Sequence, residues 1–271
     1  LKNQRLDTPY IKNKKIFEKA SWSEAYKKIF EKISTTHSDK IAGITGDLTN
    51  METMFSIKEF FDKTIKSKNL DSRHENFYVN TNDRKNYIFN TKIEGLEESD
   101  LIILIGTNPR YESTILNSRI RKAYLKNKTP IYSIGEIGNL TYPYKVFDNN
   151  TKTIKDIIND KHQISEKIIN AKKPVIVIGQ SVLKIKSAIY IFEELKKYLI
   201  KNNKINDQWN SLNVLSKNAS TVGGYDLNIL SSNNGINDTL NKIHQHKFDI
   251  IFLFGQDNLK FKKSNEFIIY I

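Results

Sequence analysis

Five histidines and no cysteine bound the chemistry open to this 271-residue chain. Without cysteine, no disulfide, zinc–thiolate site or cysteine-ligated iron–sulfur cluster can be assembled from it. His37, His74, His162, His244 and His246 are scattered, and the last two lie two residues apart in a predicted helix. That spacing puts them on different faces, so they do not make a metal pair. His74 stands between Arg73 and Glu75 in a long polar loop and reads as a solvated side chain. Glu94, Glu97, Glu98 and Asp100 form an acidic knot. Neighbouring carboxylates can do acid–base work, but these precede a strand, the wrong end for a site at its carboxyl edge. Ser181 follows Gly179-Gln180 without the second glycine of a nucleophile elbow. The sequence offers no catalytic residue and no metal site.

What remains is a recurring turn. Four apolar runs end in glycine, at Gly46, Gly106, Gly179 and Gly255. Glycine between a strand and a helix can let backbone amides approach a phosphate. None of the four carries the dinucleotide fingerprint G-x-G-x-x-G or the P-loop pattern, so plain turn geometry accounts for them. The Gly106 loop is the first place to look for function, because ligands of parallel sheets sit at the carboxyl ends of strands.

The element that positions these residues is Leu101 to Ile105, an unbroken aliphatic run that reads as a strand buried on both faces. After the Gly106–Pro109 break comes a helix with Ile115, Leu116, Ile120, Ala123 and Tyr124 on one face. Glu112 in its first turn complements the helix dipole. Thr129-Pro130 stops it, and Ile131 to Ile134 gives the next strand. Upstream, Ser21 caps a helix with Trp22, Ala25, Ile29 and Ile33 on one face, and Lys40 to Gly46 makes a strand. Asn50 caps a helix carrying Met51, Met54, Phe55, Phe61 and Ile65. Ser67 to Arg84 reads as a long loop. Downstream, Lys173 to Gly179 is a strand, and Ala188, Ile191, Phe192, Leu195 and Leu199 mark a helix. Trp209 to Ala219 reads as a further helix, and Asp249 to Gly255 and Phe267 to Ile271 read as strands. The fold class is α/β, with two doubly wound Rossmann-like lobes. The expected division is a first lobe with its lead-in over residues 1–160 and a second over 161–271, cut short at its C-terminal end.

The formal net charge is +13, yet only six of the 43 basic residues are Arg (Arg5, Arg73, Arg84, Arg110, Arg119, Arg121). Lysine spread among abundant Asn and Ile reads as a solvated surface. A nucleic-acid binder gathers its charge into a patch, and the short runs Lys12 to Lys15 and Lys260 to Lys263 do not amount to one. No apolar run approaches the ~20 residues of a membrane helix, so direct membrane insertion is not expected. The chain starts at Leu1 and stops within an apparent strand, which reads as a piece of a longer protein.

Several stretches, taken in order, resemble one family. Arg84-Lys-Asn-Tyr-Ile-Phe-Asn-Thr-Lys-Ile-Glu-Gly-Leu-Glu-Glu-Ser-Asp100 runs into Ile105-Gly-Thr-Asn-Pro-Arg-Tyr-Glu112, followed by Asn117-Ser-Arg-Ile-Arg-Lys-Ala123. Ser21-Trp-Ser-Glu-Ala25 and Ile41-Ala-Gly-Ile-Thr-Gly-Asp-Leu48 precede them. Leu140-Thr-Tyr142, Ala171-Lys-Lys-Pro174, Val177-Ile-Gly179 and Trp209-Asn-Ser-Leu-Asn-Val-Leu215 follow. Together these resemble the large iron–sulfur subunits of respiratory NADH–quinone oxidoreductase (complex I), found in bacteria and, as a counterpart, in mitochondria. The resemblance implies a molybdopterin-oxidoreductase fold within the peripheral arm, lying behind an amino-terminal portion that binds the iron–sulfur clusters and is absent here. It implies no cofactor in this segment, with Gly106, Thr107, Asn108 and Gly179 as vestiges of a pterin-nucleotide site. The implied partners are other peripheral-arm subunits. The implied location is the cytoplasmic face of a bacterial inner membrane or the matrix face of the mitochondrial one. Asp71-Ser72-Arg73 stands where many relatives have Asp-Cys-Arg. An active molybdopterin-dependent oxidoreductase with Ser72 as an oxygen ligand is the alternative.

Overall fold

A computed structural model describes residues 6–230, 232–233, 236–259 and 265–271, and the chain divides into two units. One comprises residues 1–74 and 238–271, the other residues 75–237. The second is continuous in sequence and falls between the two segments of the first. The sequence-based division at 160/161 differs from this: it falls inside the second unit, whose sheet takes strands from both sides of it. The reason is pairing at long range. The Ile250–Phe254 strand lies parallel to Ile41–Thr45, with Ile250 opposite Ile41, so both ends of the chain build one sheet.

That sheet has four parallel strands in the order Phe267–Tyr270, Ile250–Phe254, Ile41–Thr45, Leu70–Asp71. Ala42, Ile44, Ile251 and Leu253 pack on one face with Ile243 of the helix Asp238–His244. Phe252 and Phe254 stack over the other, edge-on to Phe61 at the end of the helix Met51–Phe60. The expected caps form: the Ser21 hydroxyl accepts from Glu24 N–H in a capping box, and Asn50 accepts from Thr53 N–H. Residues Tyr10–Asn13 and Ile16–Lys19 pair as an antiparallel hairpin, with Lys14 and Lys15 in its turn. The Lys260–Lys263 run lies outside the described residues.

The second unit holds five parallel strands in the order Lys145–Asp148, Ile131–Ile134, Leu101–Ile105, Pro174–Gly179, Leu212–Leu215. Successive side chains of the central strand go to opposite layers. Leu101, Ile103 and Ile105 join the core under the helices Thr151–Ile158, Gln163–Asn170 and Ala188–Lys201. Ile102 and Leu104 join the core under Thr114–Asn127. All five are buried, each contributing on the order of 2 kcal/mol by leaving water.

Three expectations need correction. Trp209 to Ala219 is not a helix: Leu212–Leu215 is the fifth strand, and a short helix follows at Thr221–Asp226. Backbone pairing with Ile176–Gly179 decides it, and the Trp209 indole N–H donates to the Pro174 carbonyl at 2.8 Å. Leu70–Asp71, within the Ser67 to Arg84 stretch expected to be a loop, is a short strand, and Lys145–Asp148 is an edge strand. Ile115 points to solvent, while Leu116, Asn117, Ile120 and Ala123 form the buried face of its helix. Among the described residues, no helix is long and apolar enough to cross a membrane.

Candidate functional site

In sequence, the second unit's strands run third, second, first, fourth, fifth across the sheet. The order reverses between Leu101–Ile105 and Pro174–Gly179, and such a switch point is where doubly wound sheets bind ligands. The four candidate residues converge there. Gly106 turns the chain with φ +55°, and its carbonyl oxygen sits only 2.2 Å from where a Gly179 Cβ would be. The Ser181 hydroxyl donates to that same carbonyl. Thr107 and Asn108 follow directly and lead into the short helix Pro109–Glu112.

The side-chain polar atoms of Thr107 and Asn108 are committed within the fold. The Thr107 hydroxyl donates to Glu112 Oε2 at 2.8 Å, and the Asn108 backbone N–H donates to Glu112 Oε1 at 3.2 Å. Asn108 Oδ1 accepts from Arg110 N–H at 3.1 Å, and Asn108 Nδ2 donates to the Ile137 carbonyl at 2.6 Å. Arg110 Nη1 donates to the Asn139 carbonyl at 2.9 Å, a second tie to the loop beyond Ile131–Ile134. Thr107 is buried and Glu112 half-buried. Glu112 as the partner of both donors was not foreseen; its sequence position suggested only a contribution to the helix dipole.

The residues just downstream are struts as well. Asn117 is buried, donating to the Leu140 carbonyl and accepting from the Tyr142 hydroxyl at 2.8 Å. Burial drives the Tyr142 phenol well above its ordinary pKa. Arg119 and Lys122 both pair with Glu97, which holds that carboxylate below its usual range, Lys122 contributing most. Asp100 accepts from the backbone N–H groups of Lys172 and Lys173. Glu97, Glu98 (paired with Lys173) and Asp100 of the acidic knot therefore serve as surface ties.

A shallow depression of about 360 Å³, open solvent included, lies at the carboxyl edge of the last two strands in sequence order. Tyr78, Tyr87, Phe192 and Tyr225 line it together with Gln180, whose buried Oε1 has no hydrogen-bond partner among the described residues. That atom suits an ordered water. Tyr78 and Asn80 hold the lining loop to Glu193, at 2.5 and 2.7 Å.

The first unit repeats the glycine contact at its own reversal of strand order. A Cβ on Gly46 would lie 1.8 Å from the Gly255 carbonyl oxygen. The loop after Leu70–Asp71 is less solvated than its composition suggested. Arg73 and Asp71 form an ion pair with both side chains fully buried, Nε and Nη2 donating at 3.0 and 2.9 Å. His74, expected in solvent, is mostly buried, with Nδ1 2.9 Å from Asp47 Oδ1; Asn258 Nδ2 donates to Asp47 Oδ2 at 2.8 Å. Ser72 is buried, and its hydroxyl has no partner among the described residues. Among those residues, no three His, Asp or Glu side chains gather as a metal site.

A family model described as molybdopterin oxidoreductase matches residues 5–271. The G subunit of NADH-quinone oxidoreductase from Rickettsia bellii is 35% identical over 271 residues, covering all of this chain and 38% of that protein. The 75 kDa subunit of NADH-ubiquinone oxidoreductase from Reclinomonas americana is 36% identical over 286 residues, covering all of this chain and 41% of that protein. NADH dehydrogenase [ubiquinone] iron-sulfur protein 1, mitochondrial, of Solanum tuberosum is 29% identical over 273 residues, again across the whole chain and 36% of its own length. The chain thus spans well under half the length of these curated relatives.

Proposed function

Because the chain belongs to the molybdopterin oxidoreductase family, we propose that it is a structural segment of the large peripheral-arm subunit of NADH–quinone oxidoreductase. The observation that carries this reading is similarity along the entire chain to proteins named as that subunit, in bacteria and mitochondria alike. The assembly passes electrons from NADH to quinone; this segment supplies no redox group to it. Lacking cysteine, it leaves the iron–sulfur clusters to the part of the subunit beyond these residues. Its contribution is mechanical. Glu97 bridges Arg119 and Lys122, Asp100 pins the start of the neighbouring strand, and Asn117 ties helix to loop. Such ties hold a rigid body against which other peripheral-arm subunits dock. The place of work is the cytoplasmic face of a bacterial inner membrane or the matrix face of the mitochondrial one.

One observation favours a second reading, an active molybdopterin-dependent oxidoreductase. The Ser72 hydroxyl is buried and has no hydrogen-bond partner among the described residues, and an oxygen donor can ligate a hard metal. Both readings are tested by tagging the protein in its own cells and purifying what it binds. The scaffold reading expects a large NADH-oxidising, quinone-reducing assembly that contains iron and no molybdenum. Recovery of the protein apart from any such assembly would overturn it. Stoichiometric molybdenum that disappears in Ser72→Ala would establish the second reading instead.

A further inference from the structure

The switch-point loop does not fit the pterin nucleotide that the family's description implies, and the cause can be assigned to one side chain. An anion arriving at the carboxyl edge of Leu101–Ile105 would seek the first donors past the strand. The Gly106 N–H donates to the Ile134 carbonyl, and Glu112 takes two further donors of the turn, the Thr107 hydroxyl and the Asn108 N–H, one with each carboxylate oxygen. The Asn108 side chain is spent at both ends, on Arg110 and Ile137. On the opposite wall, the Gly106 carbonyl fills the space beside Gly179 and accepts from Ser181. A diphosphate here would meet a carboxylate that already holds its donors, and two like charges at that range repel.

We propose that Glu112 is the built-in anion of this loop, so that the loop is liganded by its own chain and complete without a nucleotide. The proposal concerns the loop alone and stands whatever assembly the protein serves. It also separates two roles for the same stretch. Gly106, Asn108 and Gly179 keep the form of a binding turn, while Glu112 removes its capacity to bind.

The test uses the whole protein, with inorganic pyrophosphate and GDP as probes, read by thermal unfolding and by exchange of the Asn108 amide. In the wild type, neither probe at about 10 mM moves the midpoint, since a ligand that does not bind the native state cannot stabilise it. Glu112→Ala unfolds about 2–4 °C lower, and its Asn108 amide exchanges at least ~10-fold faster. Pyrophosphate then recovers part of the lost midpoint. Glu112→Gln keeps an acceptor oxygen while shedding the charge; it stays closer to wild-type stability and still gains a response to pyrophosphate. A wild type stabilised by either probe as strongly as Glu112→Ala would overturn the proposal. So would two variants that gain no response.

Discussion

Replacing Gly179 by alanine tests the switch-point geometry with a single methyl group. Gly179 has φ −82° and ψ 158°, a conformation any residue adopts, so backbone strain plays no part. What forbids a side chain is space. The added Cβ would lie 2.2 Å from the Gly106 carbonyl oxygen, 2.6 Å from Thr107 Cβ and 2.8 Å from the Gly106 carbonyl carbon. Two of these three are backbone atoms, so relief requires the Gly106 turn to move and its bond from Ser181 to break. Overpacking of this kind costs about 3 kcal/mol, which lowers the midpoint by roughly 6–12 °C for a chain of this size. Gly138→Ala is the control. Gly138 has φ +72°, and an added Cβ there would meet nothing within 4 Å, so that change costs only the left-handed conformation, about 1–2 kcal/mol. Trp209, bonded to the first residue of the Pro174–Gly179 strand, reports unfolding of this unit by fluorescence. Trp22→Phe removes the other indole, which is exposed on its helix. If Gly179→Ala costs no more than Gly138→Ala in urea titrations, the glycine contact is not as close as described and the reasoning fails.

Asn213→Leu should cost about 2–4 kcal/mol in the same titration, because it strands buried donors and acceptors. Asn213 is fully buried, accepts from the Thr91 N–H and donates to the Thr91 hydroxyl, both at 2.8 Å. Limited proteolysis should therefore cut the variant near residues 85–92 faster than the wild type. Alkaline stability should respond to Tyr87, whose hydroxyl donates to Asp226 Oδ1 at 2.8 Å. Burial first, then that bond, pushes its pKa up from 10 to about 12. The folded state thus keeps the proton longer than the unfolded one, so stability present below pH 10 is lost as pH rises from about 10 to 12. Urea midpoints for Tyr87→Phe across that window should fall less steeply than for the wild type; an identical slope would refute the assignment. The same carboxylate acts in the opposite sense in acid. The Arg84 hydrogen bond holds Asp226 below its usual range, so its contribution is present at neutral pH and lost as pH falls through the depressed value.

The parts of the fold legible in the sequence are those where local composition admits one answer. Leu101 to Ile105 and Ile250 to Phe254 are apolar at every position, and only a strand covered on both faces uses five such residues in a row. Ser21 and Asn50 announce their helices because an orphan N–H needs an oxygen at that spacing. Leu212–Leu215 was hidden for an equally local reason. Trp209, Leu212 and Leu215 recur every third residue, which imitates a helix, and a fully buried Asn213 interrupts the apolar run. Its amide is satisfied by Thr91, over 100 residues earlier, and no window of sequence contains both. The same limit explains the division into units. Nothing near Ile41 indicates that Ile250 lies beside it, so reading glycine-ended strands in order placed the boundary inside one sheet.

At the candidate site, the sequence disclosed which residues turn the chain and concealed what their polar atoms do. Gly106, Thr107, Asn108 and Gly179 do come together, yet the partner that fixes their chemistry, Glu112, could serve a helix dipole or a loop equally well until its two oxygens are located. Within the resemblance to a cofactor-binding family, the most specific signal is this stretch followed by Asn117 to Ala123. In the folded chain, those residues bond chiefly to one another, to the Ile137–Tyr142 loop and to Glu97. The motif thus builds the frame of this switch point through bonds within the chain, independently of any ligand there. Recognising the motif identifies the frame. Deciding whether the frame binds anything requires counting which donors are still free, and in this loop Glu112 has taken the Thr107 hydroxyl and the Asn108 N–H.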